Sequence, residues 1–223
     1  AVVGLLGVLV LTGVLAAPSQ QAEGHLKRAR ALLAEDAKQV EAGIVAEGPD
    51  LLEAALGELE AATSNRPLDS RIHALRGNLA LYFDDKDKEA RVSFLRERML
   101  NPRSAMVPYR QGMSWIAIDQ GETALLWREA LARAADRPRL EEELFLRMLR
   151  EARLRPSVRQ FCIGVAARSE EFAGLLIQGW PVEILHEEEE EISSALQKLG
   201  DGRLLERFKA LIMSGSQTQG ERP

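Results

Sequence analysis

The chain has very little of the residue types that form disulfides and metal sites. A single cysteine, Cys162, and three histidines occur among its 223 residues. One cysteine excludes an internal disulfide and leaves no basis for a cysteine-ligated zinc ion. Cys162 lies between the apolar residues Phe161 and Ile163, so we predict a small core residue rather than a reactive thiol.

The three histidines, His25, His73 and His186, lie on separate segments, with no cysteine or recurring aspartate near them. Acid–base catalysis needs such a group to be held by a second polar group in a pocket. The sequence specifies no such pair, and it contains no glycine-rich phosphate loop with its lysine. We therefore expect surface or groove histidines, and we predict no catalytic residue, no cofactor and no metal site.

Aromatic residues (5%) and runs of β-branched residues are also scarce, whereas Ala, Leu, Glu and Arg dominate. This composition favours helix throughout. The net charge is −5, and the arginines are scattered among glutamates rather than gathered on one face. A nucleic-acid-binding surface would need a concentrated basic patch. We predict an all-α protein with no nucleic-acid partner.

The opening segment, residues 1–17, is uncharged and consists of Ala, Val, Leu and Gly with one Thr. Its length is at the lower edge of a membrane span. A signal peptide would begin with Met and a basic segment, which are both missing, so we expect a fragment of a longer protein. A transmembrane helix is the favoured interpretation, and a signal-peptide core and a buried apolar helix remain alternatives. Pro18 is predicted to end this segment.

Small residues and prolines recur through the body at a spacing of 34 to 35 residues. A period of this length is typical of stacked helical hairpins, because one hairpin buries too little surface to be stable alone. The recurring positions are Gly43, Gly77 and Gly112; Ala55, Ala90 and the Thr123-Ala124 pair; and Pro67 and Pro102, with Pro138 one residue late.

Apolar residues at helical spacing predict three hairpins in this region. The first consists of helices over 25–46 and 51–62, the second begins near the N-cap residue Asp69, and the third begins at Pro108. Trp115 and Trp127 are predicted to pack between the two helices of the third hairpin. Beyond Pro138 the pattern predicts helices that lack the repeated small residues, over 140–154, 157–168, 172–177, 182–199 and 204–213.

These hairpins resemble tetratricopeptide repeats (TPR), in which small residues let two helices approach closely and a proline ends the second. The twelve-residue step from Ala55 to Pro67 recurs from Ala90 to Pro102. The likeness covers residues 36–138. Compared with the family pattern, the turn between the two helices is one residue longer in the second unit and one residue shorter in the third. It implies a right-handed α-solenoid of TPR-like hairpins.

The chain is accordingly divided into four segments. Terminal repeats must present a polar outer face, and a polar, glycine-bearing end is typical of a disordered terminus. The segments are residues 1–17 as a transmembrane helix, 22–138 as TPR-like repeats, 139–213 as degenerate repeats or a cap, and 214–223 as a disordered tail.

In such a solenoid, the first helix of each hairpin lines a concave groove. Side chains there could bind an extended peptide or its terminal carboxylate. The alternative is ordinary surface, since no Lys or Arg set recurs from unit to unit. The candidate groove residues implied by the resemblance are Arg71, Asn78, Tyr82, Tyr109, Arg110 and Met113.

The acidic run Glu187–Glu191 follows His186 directly. A hard cation needs carboxylates that converge, whereas successive residues of one helix point around its axis. We predict a solvated helix face rather than a metal site or a patch for a basic partner.

Two functions are consistent with these observations. The first is a membrane-tethered TPR-like scaffold that mediates protein–protein interaction. The second is the C-terminal extramembrane repeat domain of a bacterial O-antigen ligase or polymerase-like protein, whose repeat tails residues 106–131 resemble. That resemblance implies that the catalytic residues lie upstream and that the body is extracytoplasmic at the inner membrane. The positive-inside rule applied to Lys27, Arg28 and Arg30 favours the cytoplasmic side instead, and whether the parent protein is an enzyme stays open.

Overall fold

The computed structural model describes the backbone of residues 2–43 and 50–219, and the side chains of residues 19–43 and 51–214. All regular structure in these ranges is helical, with no strand, which confirms the predicted all-α class. The chain forms two compact units, Ala1–Pro102 and Arg103–Pro223, which we call unit 1 and unit 2.

Unit 1 contains two helical hairpins, α1 with α2 and α3 with α4, and α2 also packs on α3. Asp69 is the N-cap of α3, as predicted, because its side chain accepts a hydrogen bond from the backbone N–H of Arg71. The helices are α1 (Val2–Glu41), α2 (Asp50–Asn65), α3 (Ser70–Ala80) and α4 (Asp87–Leu100).

The long first helix corrects the predicted boundary at Pro18. Helix α1 continues through that position to Glu41, so the proline, which removes one backbone donor, does not end the helix. The predicted break near Gly48-Pro49 lies outside the described residues. No helix in the described part of the chain combines the length and the apolar character needed to cross a membrane. The side chains of the predicted span, residues 1–17, are outside that part.

The core of unit 1 is built from small and aliphatic residues of the first three helices. Leu26 and Ala29 of α1 are buried against α2. Beside this core, the carboxylate of Glu58 on α2 pairs with His25 and Arg28 on α1. Arg28 Nε donates to Glu58 Oε2 at 2.9 Å, and His25 Nδ1 lies 2.6 Å from that oxygen. The hydrogen bond from Arg28, followed by that of His25, lowers the pKa of Glu58.

The repeated glycines do not occupy equivalent positions throughout. Gly77 lies against Phe94 of α4, where an added Cβ would come within 2.5 Å of the ring. Gly43 instead follows α1 in a turn with φ +68°, and an added Cβ there would meet nothing within 4 Å. The left-handed backbone explains that glycine. The prediction that Gly43 is equivalent to Gly77 is therefore wrong.

Unit 2 contains the remaining helices, in which α5 pairs with α6 and the later helices pack around α7 and α8. The single helix predicted over 182–199 is interrupted at Glu188, and the last helix extends to Gln219, into the predicted tail. The elements are α5 (Met106–Trp115), α6 (Gln120–Ala134), α7 (Pro138–Leu154), a 3₁₀ turn (Pro156–Val158), α8 (Arg159–Ala166), α9 (Glu170–Gly179), α10 (Val182–Glu187), α11 (Glu189–Leu199) and α12 (Gly202–Gln219).

The core of unit 2 is centred on Trp127, which is fully buried. Its ring stacks on Tyr109 with centroids 6.1 Å apart and meets Phe161 edge-on at 5.7 Å. Gly112 lies so close to this ring that an added Cβ would be 2.5 Å from Trp127 Cδ1, the same arrangement that Gly77 and Phe94 make in unit 1. The third hairpin therefore packs through its tryptophan, as predicted.

The lone cysteine lies in the same core. Cys162 is fully buried, which raises the pKa of its thiol. The predicted role as a small core residue is confirmed, because a buried thiol in apolar surroundings has little thiolate to react.

Candidate functional site

Three of the predicted groove residues lie in unit 1. Arg71 is held by acidic neighbours, since its guanidinium donates to Asp69 Oδ2 at 2.7 Å and to Glu23 Oε2 at 3.1 Å. The hydrogen bond to Asp69 raises the pKa of Arg71. Asn78 donates to the carbonyl of Ala74 in its own helix at 3.0 Å. Tyr82 is 74% exposed.

The other three lie in unit 2. Tyr109, which the resemblance placed among the exposed positions, is 7% exposed and belongs to the core around Trp127. Its burial raises the pKa of the phenol. Met113 packs partly against the same core, and the side chain of Arg110 is exposed. The expected exposure of Tyr109 is therefore wrong, because its ring stacks on the buried Trp127.

A cleft of about 430 Å³ lies in unit 2, between α6, α7, α8 and the start of α9. Helix α8 supplies one wall, and Ser169 caps α9 by accepting from the N–H of Phe172 at 3.4 Å. The walls are mainly apolar, with charged and polar groups among them. The lining residues are Arg128, Leu131, Ala132, Ala135, Glu141, Gln160, Phe161, Gly164, Val165, Arg168, Ser169 and Phe172.

Two cations of the cleft are available to a ligand. The side chains of Arg128 and Arg168 are exposed, and neither makes an ion pair within the residues that the structure describes. Glu141 is half-buried in the same cleft. Burial, with a smaller contribution from the nearby charge of Glu171, raises the pKa of Glu141. The cleft thus combines apolar walls with two arginines and one carboxyl group, which suits an amphipathic ligand.

Helix α8 is fixed in place by an ion pair at its first residue. Arg159 is 6% exposed, its Nη1 lies 2.5 Å from Glu187 Oε2 and 3.2 Å from Glu188 Oε1, and its Nε donates to the carbonyl of Ala152 at 3.2 Å. The predicted solvated face is therefore wrong for Glu188, which is half-buried, whereas Glu187 is exposed although it pairs with Arg159. The remaining members, from Glu189 to Glu191, lie exposed in the first turn of α11, as predicted.

The three histidines lie on three different helices, α1, α3 and α10. His73 is 1% exposed, so the expectation of a surface or groove histidine is wrong for it. Its Nε2 lies 2.7 Å from the carbonyl oxygen of Pro67, which anchors the turn between α2 and α3. No group of three or more potential metal ligands occurs in the part of the chain that the structure describes.

Sequence reasoning missed the cleft because three of the helices that line it, α7, α8 and α9, lie outside the repeat pattern, and only α6 belongs to a predicted hairpin. A signal was nevertheless present: Phe161, Val165 and Arg168 follow the i, i+4, i+7 spacing of one helix face. Arg128, Leu131 and Ala135 have a similar spacing on α6. Either face alone would be interpreted as core or surface, and only the packing of both beside α7 makes a cleft.

Comparison of the chain with known protein families and with curated protein sequences finds no match.

Proposed function

We propose that this chain is a membrane-tethered TPR-like scaffold that mediates protein–protein interaction, and that its hairpins form a right-handed α-solenoid. The repeated hairpin construction supports the scaffold, since Gly77 with Phe94 and Gly112 with Trp127 make the same close helix contact. The uncharged sequence of residues 1–17 supports the tether. This function requires a surface that binds a partner segment and no chemistry of its own.

The observation that carries the proposal is the cleft between α6 and α8. An open cavity of about 430 Å³ with apolar walls can accept large side chains of a partner. The free guanidinium groups of Arg128 and Arg168 would add charge-assisted hydrogen bonds to the partner's carboxylates. The cleft therefore replaces the six residues of the predicted concave groove as the leading binding site.

The alternative is the extramembrane tail of an O-antigen ligase or polymerase-like protein, with the body on the extracytoplasmic side. The resemblance of residues 106–131 supports it. Protease protection distinguishes the two locations. In bacterial spheroplasts, a protease added outside should digest unit 2 only if the body is extracytoplasmic, with permeabilised cells as the control.

The binding function is tested by site-specific photo-crosslinking in the cells that make the protein. A benzophenone side chain at Gln160, in the cleft, should cross-link one partner protein, whereas the same group at Arg153, exposed at the end of α7, should not. Val165→Glu places a charge on the apolar wall and should abolish the Gln160 product while far-UV circular dichroism stays unchanged. A Gln160 product that survives Val165→Glu, or no product at all, would contradict the proposal.

A further inference from the structure

A second depression lies on the other side of α8. It has a volume of about 340 Å³ and is bounded by α8 and α11. Gln160 and Gly164 line both this depression and the cleft. An added Cβ at Gly164 would meet nothing within 4 Å, so no side chain rises from α8 at this point to separate the two. The two depressions therefore adjoin each other on α8, where they share Gln160 and Gly164.

The two ends of this surface carry opposite charge. Arg128 and Arg168 belong to the cleft, and Glu190 and Glu191 belong to the second depression. Both glutamates are exposed, and neither forms an ion pair within the described residues. Lys198 lines the second depression as well, which leaves two carboxylates there for one ammonium group. Glu141 similarly offsets one of the two arginines.

We infer that the two depressions form one groove that binds a peptide segment with a fixed charge polarity, an acidic residue at the arginine end and a basic residue at the glutamate end. This inference rests on the proposed function and specifies the partner for the same site. The apolar walls take the side chains between the charged ends. Opposite charges that face each other across an interface fix orientation and register more than they add affinity.

A peptide suits this groove better than a compact ligand for a geometric reason. The apolar walls of Leu131, Phe161 and Phe172 lie in the cleft only, whereas the second depression offers polar groups such as Ser194 beside Ala195. A ligand that uses both must reach over the flat position at Gly164. An extended chain with side chains at regular intervals can do this.

The inference is tested with three short fluorescein-labelled peptides that share one apolar centre and have blocked termini. One carries an acidic and a basic end, one has two acidic ends, and one has two basic ends. In fluorescence anisotropy on the full chain, the mixed peptide should bind about two- to fivefold more tightly than either other peptide, the value of one exposed ion pair. Raising the salt concentration should reduce this preference.

Charge-reversed variants supply the decisive comparison. Arg168→Glu should move the preference to the peptide with two basic ends, and Glu191→Lys should move it to the peptide with two acidic ends. Arg153→Glu, on the exposed end of α7, is the matched control and should leave the order unchanged. Circular dichroism of each variant verifies that the fold is kept.

Each outcome separates this inference from the proposed function. Equal binding of the three peptides would overturn the charge polarity, while a Gln160 cross-link that depends on Val165 would still support the scaffold. If none of the peptides binds, the inference fails, and the cross-link alone then decides the proposed function. A preference that the two reversed variants do not move would also overturn it.

Discussion

Replacing Gly112 by alanine should destabilise unit 2, although the same change usually stabilises a helix. Alanine in a helix interior is favoured over glycine by about 1 kcal/mol. At Gly112, however, the new methyl group would lie 2.5 Å from Trp127 Cδ1 and 2.7 Å from Nε1. Because Trp127 is held between Tyr109 and Phe161, the ring cannot move away without disturbing both.

The magnitude follows from a matched control. Gly174 lies in α9, where an added Cβ would meet nothing within 4 Å. Gly174→Ala should therefore show the helix preference alone, a gain of about 0.5–1 kcal/mol. Overpacking of a core costs about 1–3 kcal/mol, so Gly112→Ala should be less stable than Gly174→Ala by roughly that amount. Subtracting the two variants removes the helix preference, which is common to both.

Urea unfolding followed by tryptophan fluorescence measures this difference directly. Trp115, Trp127 and Trp180, the three tryptophans of the chain, all lie in unit 2, so the signal reports that unit. The slopes of the two variants should agree, with only the midpoints differing. Equal midpoints for Gly112→Ala and Gly174→Ala would refute the close packing of Gly112 on a rigid Trp127.

Three further predictions concern other contacts. Gly77→Ala should speed amide hydrogen exchange in α3 and α4, since its methyl group would lie 2.5 Å from the ring of Phe94; Gly57→Ala, which meets nothing within 4 Å, is the control and should not. Arg159→Met should lower the free energy of unfolding by about 1–3 kcal/mol, because it leaves the half-buried Glu188 without its cation. The control Arg153→Met should change the free energy of unfolding by less than about 0.5 kcal/mol. If urea titrations gave the same loss for both variants, the Arg159 ion pair would contribute nothing to stability. Asp69→Asn should cost about 0.5–1 kcal/mol at neutral pH, since asparagine keeps the N-cap but loses the ion pair with Arg71. The hydrogen bond from Arg71 lowers the pKa of Asp69, so the wild-type advantage is present above the unfolded-state pKa of about 4 and is lost as the pH falls through the folded-state pKa. An advantage in urea titrations that does not decrease as the pH is lowered from neutral would contradict this assignment.

The sequence pattern predicted local features well and long-range ones poorly. The N-cap at Asp69 and the packing of Trp127 in the third hairpin were both found. The interruption of the predicted helix over 182–199 at Glu188 was not, because it accompanies the ion pair of Arg159 with a residue distant in sequence. The burial of Tyr109 was likewise missed, since the resemblance placed this residue in a groove, whereas its ring stacks on Trp127 of α6.

What the sequence determined by itself was the all-helical class and the hairpin order, because helix preference, capping and apolar spacing act within a few residues of the chain. Only the tertiary structure decided which glycine needed a close contact and which needed a left-handed backbone. It also decided the cleft, whose walls at Arg128, Glu141 and Phe172 belong to three different helices. A cavity arises from the way helices pack on one another, so the spacing of residues along one helix does not predict it.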